Sequence, residues 1–79
     1  MLEREIIVKT TVEPSVLALL VQKASEFECQ ISLVLEEKTA NAKSIMGLIS
    51  LGLKEGQTLK IVANGADAAK AIDAFDGLL

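Results

Sequence analysis

The sequence predicts an α+β fold built as a two-layer sandwich, and three observations predict it. Segments with apolar residues at every second position alternate with segments whose apolar residues recur at helical spacing. The resulting order is β-α-β-β-α-β-α, with the middle pair of strands joined as a hairpin, which suits helices packed on one face of a sheet. Helix punctuation falls where this order needs it: Pro14 and Ser44 at two helix starts, Gly52 after a helix, Asn64-Gly65 before the last one.

Leu2 to Thr10 reads as the first strand, with Leu2, Ile6 and Val8 alternating against Glu3, Glu5 and Lys9. Glu13-Pro14-Ser15 starts the first helix: proline suits the first helical position, and a carboxylate before it complements the positive end of the dipole. The helix is expected to run to Phe27, with Leu17, Leu20, Val21, Ala24 and Phe27 as its stripe. Val16 and Leu19 widen that stripe, so the helix is unusually apolar. Gln30 to Glu36 is the second strand, with Ile31, Leu33 and Leu35 on one face. Glu37-Lys38 is a tight polar connection, and Lys38 to Asn41 returns as the third strand. Ser44 to Leu51 is a short helix. Gly56-Gln57 is a turn, Thr58 to Asn64 the fourth strand, and Asp67 to Leu79 the last helix, with Ala68, Ala71, Ile72, Phe75 and Leu78 on one face. The sheet face away from the helices is expected to carry Glu3, Glu5, Lys9, Ser32, Glu36 and Lys60, with Ile7, Val34 and Val62 as an aliphatic stripe among them.

Composition excludes several function classes. Seventy-nine residues form one small domain, 1–79, and 51% of them are hydrophobic with only Phe27 and Phe75 aromatic, so stacking platforms for bases or sugars are missing. The net charge of −3 is interspersed. No Lys/Arg cluster exists to displace counterions from a nucleic acid, so no nucleic-acid partner is expected. Cys29 is the only cysteine; it can close no internal disulfide and build no metal cluster, and it reads as a small buried hydrophobe. No apolar run reaches the ~18 residues of a membrane span, and Met1-Leu2-Glu3-Arg4-Glu5 lacks a signal-peptide pattern, so a cytoplasmic location and no membrane partner are expected. No histidine, metal cluster, glycine-rich phosphate loop or nucleophile–base pair is visible. An enzyme is therefore the weakest class, and no cofactor or metal is expected.

The run Asn41-Ala42-Lys43-Ser44-Ile45-Met46-Gly47-Leu48, continuing through Ile49-Ser50-Leu51, closely resembles the serine-phosphorylation segment of HPr, the histidine-containing phosphocarrier family of the sugar phosphotransferase system. Lys9-Thr10, Val21-Gln22 and Asn64-Gly65 fit the family less specifically. The element order is the family's, and nearly the whole chain lies on it without an internal gap. The resemblance implies an open-faced sandwich: an antiparallel four-stranded sheet in the order 1-4-2-3, with three helices on one side.

Laid on the family's phosphocarrier motif, Gly-Leu-His-Ala-Arg-Pro-Ala, this chain offers Thr11-Val12-Glu13-Pro14-Ser15-Val16-Leu17. Glu13 stands in the place of the phosphorylated histidine, Ser15 in that of the arginine, and Pro14 replaces a residue whose N–H helps hold phosphoryl oxygens. Glu13 is expected to cap the first helix; a fixed charge mimicking phosphohistidine, or drift at an abandoned site, are the other readings. Ser44 aligns with the serine that a dedicated kinase phosphorylates in part of the family, and it suits a helix cap in any case. Ile45, Met46 and Ile49 align with the apolar knob that docks, in the family, onto that kinase and onto a transcriptional regulator. The pattern is comparable to the catabolite-repression HPr-like proteins, which lack the histidine and keep the serine. Two functions follow as expectations. One is a regulatory protein modified at Ser44, with the serine kinase/phosphorylase and a transcriptional regulator or phosphotransferase component as partners. The other is a phosphorylation-independent module that binds a phosphotransferase component or itself as a homodimer, with Ile7, Val62 and Val34 as one candidate surface.

Overall fold

The computed structural model describes residues 1–79. Its elements are β1 (Leu2–Ile7), α1 (Pro14–Ala24), β2 (Gln30–Leu35), β3 (Lys38–Asn41), α2 (Ile45–Leu51), β4 (Thr58–Asn64) and α3 (Ala68–Leu78). The four strands form one sheet in the order β1-β4-β2-β3, and every pairing is antiparallel. Alternation decides which side is wet. Ile31, Leu33 and Leu35 of β2, and Leu59, Ile61 and Ala63 of β4, point under the helices and are buried. Leu20 and Ala24 of α1, Leu48 and Leu51 of α2, and Ala68, Ala71, Ile72 and Phe75 of α3 close over them. The core is aliphatic apart from Phe75 and Cys29, and no polar or charged residue is buried in it.

Several boundaries differ from those read in the sequence, and backbone geometry accounts for the shifts at the ends of β1, α1 and β2. β1 ends at Ile7 rather than Thr10, because the chain then leaves the ladder for other partners. The Val8 N–H donates to the Gln57 carbonyl at 2.9 Å, and the Lys9 and Thr10 N–H groups both donate to the Leu79 oxygen, at 2.6 and 3.0 Å. α1 ends at Ala24 rather than Phe27. The Ser25 hydroxyl donates to the Val21 carbonyl at 2.9 Å, and the Glu26 and Phe27 N–H groups reach back only three residues, to Lys23 and Ala24; such tightening closes the last turn and releases the chain. β2 stops at Leu35 because Glu36 turns left-handed, at φ 56°, so the hairpin turns on Glu36-Glu37. α3 begins at Ala68, after Asp67.

Asp67 holds two segments together. Its carboxylate accepts the Glu28 N–H at 2.9 Å and the Cys29 N–H at 3.0 Å, instead of capping α3. These donors, the Glu28 N–H foremost, hold the Asp67 carboxyl below the usual carboxylate range. Gly65 sits against the same segment. A Cβ there would lie 2.7 Å from both the Cα and the Cβ of Cys29, and its φ is +148°, so glycine is required sterically. Arg4 of β1 reaches Asp73 at 2.8 Å and Asp76 at 3.2 Å, tying the edge strand to α3.

The open sheet face sets Ile7, Val62 and Val34 among polar neighbours. Ile7 pairs with Thr58, Val62 lies between Glu3 and Ser32, and Val34 faces Lys60. The three residues lie on adjacent strands, with Lys60 between the positions of Ile7 and Val62 along β4.

Candidate functional site: an apolar docking surface beside Ser44

The segment entering α2 is fixed by its own polar groups. The Asn41 side-chain oxygen accepts the Lys43 N–H at 2.9 Å, and its carbonyl accepts the Ser44 N–H at 3.0 Å. Lys43 Nζ donates to the Phe27 carbonyl at 2.8 Å, joining the segment to the end of α1. Ser44 is left extended, at φ −112° and ψ 113°, and its hydroxyl oxygen accepts the Gly47 N–H at 3.1 Å. It is the N-cap of α2 by geometry as well as by residue type. Its oxygen is half-buried, and its proton remains available to donate. At the other end Gly52 adopts φ 74°, the left-handed conformation that ends helices.

With both ends fixed, the helical period sorts the apolar residues of α2. Leu48 is fully buried and Leu51 nearly so, while Ile45 is 39% exposed, Met46 69% and Ile49 55%. The three residues expected to form the knob are thus the ones the fold leaves outside, and Leu48 belongs to the core.

α1 supplies the facing wall. Val12, Pro14, Leu17 and Ala18 line an open groove of about 470 Å³ together with Ile45 and Ile49. The breadth of the apolar stripe on α1 was the signal for this wall: more apolar residues are present than one face of a helix can bury. Leu17 read as core from the sequence, but it is only partly buried and faces the groove. Leu19, on the same helix, is 43% exposed.

Glu13 and Ser15 flank Pro14 at this end of α1 and are exposed, outside the groove lining. Glu13 holds the N-cap position, with its carbonyl accepting the Val16 N–H at 2.9 Å. Its side chain makes no capping hydrogen bond. This corrects the expected cap: at φ −98° and ψ 166° the backbone serves as the cap while the longer glutamate side chain extends into solvent. The structure therefore brings Pro14, Ile45 and Ile49 into one groove, sets Met46 outside it on α2, and leaves Glu13 and Ser15 without a polar partner. No group of three or more metal-ligating side chains converges anywhere, and no helix is long and apolar enough to cross a membrane. What the surface offers is a dry patch with one hydroxyl at its edge.

Comparison with known proteins places this arrangement. The family described as PTS HPr component phosphorylation site matches residues 4–79. The HPr-like protein Crh of Halalkalibacterium halodurans is 38% identical over 71 residues, 90% of this chain and 84% of that protein. The phosphocarrier protein HPr of Bacillus anthracis superposes with a TM-score of 0.94 at 32% identity, covering 99% of this chain and 95% of that one. Crh of Bacillus subtilis, described as a dimer with a swapping domain, superposes with a TM-score of 0.78 at 33% identity, covering 99% and 90%.

Proposed function

The chain belongs to the HPr family, and from that premise we propose that it is a regulatory protein of the phosphotransferase system that cannot carry phosphohistidine and is controlled at Ser44. One observation carries the reading: a half-buried serine hydroxyl at the start of α2 adjoins three exposed apolar side chains, Ile45, Met46 and Ile49, in a chain with no histidine. Three exposed apolar side chains on one short helix offer a docking partner area to bury.

In this reading the protein is one HPr-like unit and not itself an enzyme. An external serine kinase/phosphorylase docks on the groove between α1 and α2 and transfers a phosphoryl group to Ser44. A phosphoserine adds about −1.5 to −2 charges at neutral pH. Placed beside an apolar patch, it changes which partners tolerate the surface, by desolvation and by new hydrogen bonds. A transcriptional regulator or a phosphotransferase component reads the result. Glu13 takes the place of the family's histidine; with no capping bond of its own, it contributes a fixed negative charge at the rim.

The direct test is docking. The double variant Ile45→Glu/Ile49→Glu leaves Leu48 and the core untouched, and it is expected to cut the rate of Ser44 phosphorylation by the serine kinase at least tenfold, an anchor-residue loss of about 1.4 kcal/mol or more. An unchanged rate would remove the groove from the mechanism.

A second reading is favoured by one observation, the Bacillus subtilis Crh dimer described as swapping a domain. Here β1 is an edge strand with only Ile6 buried, so self-association through exchanged strands would leave little core exposed. Light scattering across a concentration series separates the readings: a stable dimer whose state ignores Ser44→Ala supports the module that binds itself.

A further inference from the structure

We propose that Met46 is a reversible oxidation site, at which a peroxide converts the docking surface from apolar to polar. The inference rests on the docking reading above and extends it to a second modification on the same helical turn. Met46 is 69% exposed, more than any other large apolar side chain except Met1, and it stands two residues from Ser44 between Ile45 and Ile49. The chemistry available at the surface narrows the target. The chain holds three sulfur atoms, those of Met1, Cys29 and Met46. Cys29, ordinarily the one an oxidant attacks, is 2% exposed. Burial and the neighbouring Asp67 push its thiol up, away from the reactive thiolate. The fold thus shields the thiol and presents two thioethers, of which only that of Met46 stands beside Ser44 on α2.

The step is a two-electron transfer of one oxygen atom. The Met46 sulfur lone pair attacks one peroxide oxygen and the O–O bond breaks. The sulfur becomes a sulfoxide, and the other oxygen leaves as water or an alcohol. A sulfoxide reductase of the thiol-dependent class returns the oxygen as water and restores the thioether. The product is a polar, hydrogen-bond-accepting group on α2 beside the groove, which a partner covering Ile45, Met46 and Ile49 must desolvate. Modification at Met46 and modification at Ser44 would therefore act on the same partners.

The test treats the purified full chain and a Met46→Leu variant with hydrogen peroxide at neutral pH, followed by peptide mapping by mass. Met46 is expected to gain one oxygen at a rate close to that of free methionine, with Cys29 unmodified, and a methionine sulfoxide reductase is expected to remove it. A Met46 that resists peroxide while the protein stays folded, or a sulfoxide the reductase cannot repair, would overturn the site. The oxidised protein is then given to the serine kinase. A fall in Ser44 phosphorylation of about tenfold, absent in peroxide-treated Met46→Leu, is the expected consequence. An unchanged rate would overturn the coupling. A kinase that ignores even untreated protein would overturn the docking reading instead and leave the oxidation site resting on the mass data.

Discussion

Glu36 is the chain's only non-glycine residue with positive φ, at 56°. A left-handed L-residue costs about 1–2 kcal/mol, of which glycine's greater chain entropy offsets a part. Glu36→Gly is therefore expected to stabilise the protein by up to about 1 kcal/mol, read from the urea midpoint at constant slope; a loss of stability would show that the turn relies on the glutamate side chain. The opposite case is Asp67, whose carboxylate holds the Glu28 and Cys29 N–H groups. Its folded carboxyl titrates below the usual range, so the unfolded chain binds the proton more readily. The stabilisation is then complete above the unfolded value of about 3.9 and is lost as pH falls through the lower folded value. Asp67→Asn is expected to lower the urea midpoint at pH 7 and to flatten the acid limb of the stability profile below about pH 4. An unchanged acid limb would assign that loss to other carboxylates. This clamp was not legible in the sequence. Asp67 reads only as the first residue of the last helix, and the tertiary approach of the 28–29 segment is what gives its carboxylate two donors.

At the scale of elements, the two helix starts facing the groove are built differently. Ser44 caps α2 with its side chain, whereas Glu13 caps α1 with its backbone alone. Ser44→Ala is expected to cost about 1 kcal/mol in thermal or urea unfolding, besides removing the phosphorylation site. Glu13→Ser, which supplies the missing short acceptor, is expected to be neutral or to stabilise by up to about 0.5 kcal/mol, since it loses a favourable charge at the same time. Equal destabilisation by both variants would contradict the distinction. Element identity was legible because periodicity and punctuation agreed. Thr58–Asn64 and Lys38–Asn41 fall where alternation placed them. The ends of β1 and α1 were not legible, because periodicity does not report the bonds that set them: remote ones to Gln57 and the Leu79 oxygen for β1, and the Ser25 hydroxyl with a three-residue tightening for α1. Strand order put Ile7, Val34 and Val62 on adjacent strands, and register adds their polar partners: Thr58 beside Ile7, Lys60 beside Val34, Glu3 and Ser32 beside Val62.

For the whole molecule, the decisive feature is one core of 21 buried residues shared by the sheet and three helices. Phe75 is the only aromatic in the core and is fully buried among aliphatics. Truncation of such a residue costs about 3–5 kcal/mol, against a total of about 0.05–0.15 kcal/mol per residue for a folded domain. Phe75→Ala is accordingly expected to leave the protein largely unfolded at 37 °C by circular dichroism; a cooperative transition well above that temperature would mean that the aliphatic layer alone sustains the fold. Ile45, Met46 and Ile49 add little to that core, being 39%, 69% and 55% exposed. The resemblance to HPr was legible from one run of residues around Ser44, and the family match over residues 4–79 bears it out. The groove wall contributed by α1 was legible only as an excess of apolar residues, because its position opposite α2 depends on the packing of the two helices.

The account's central claim is that Ser44 and its apolar neighbours form a kinase-controlled docking surface. The most direct test is the intact mass of the protein after incubation with an HPr serine kinase, ATP and magnesium, beside Ser44→Ala and an authentic HPr. The account predicts a gain of one phosphoryl group that is absent in Ser44→Ala. No gain, with the authentic HPr modified in the same reaction, would contradict it.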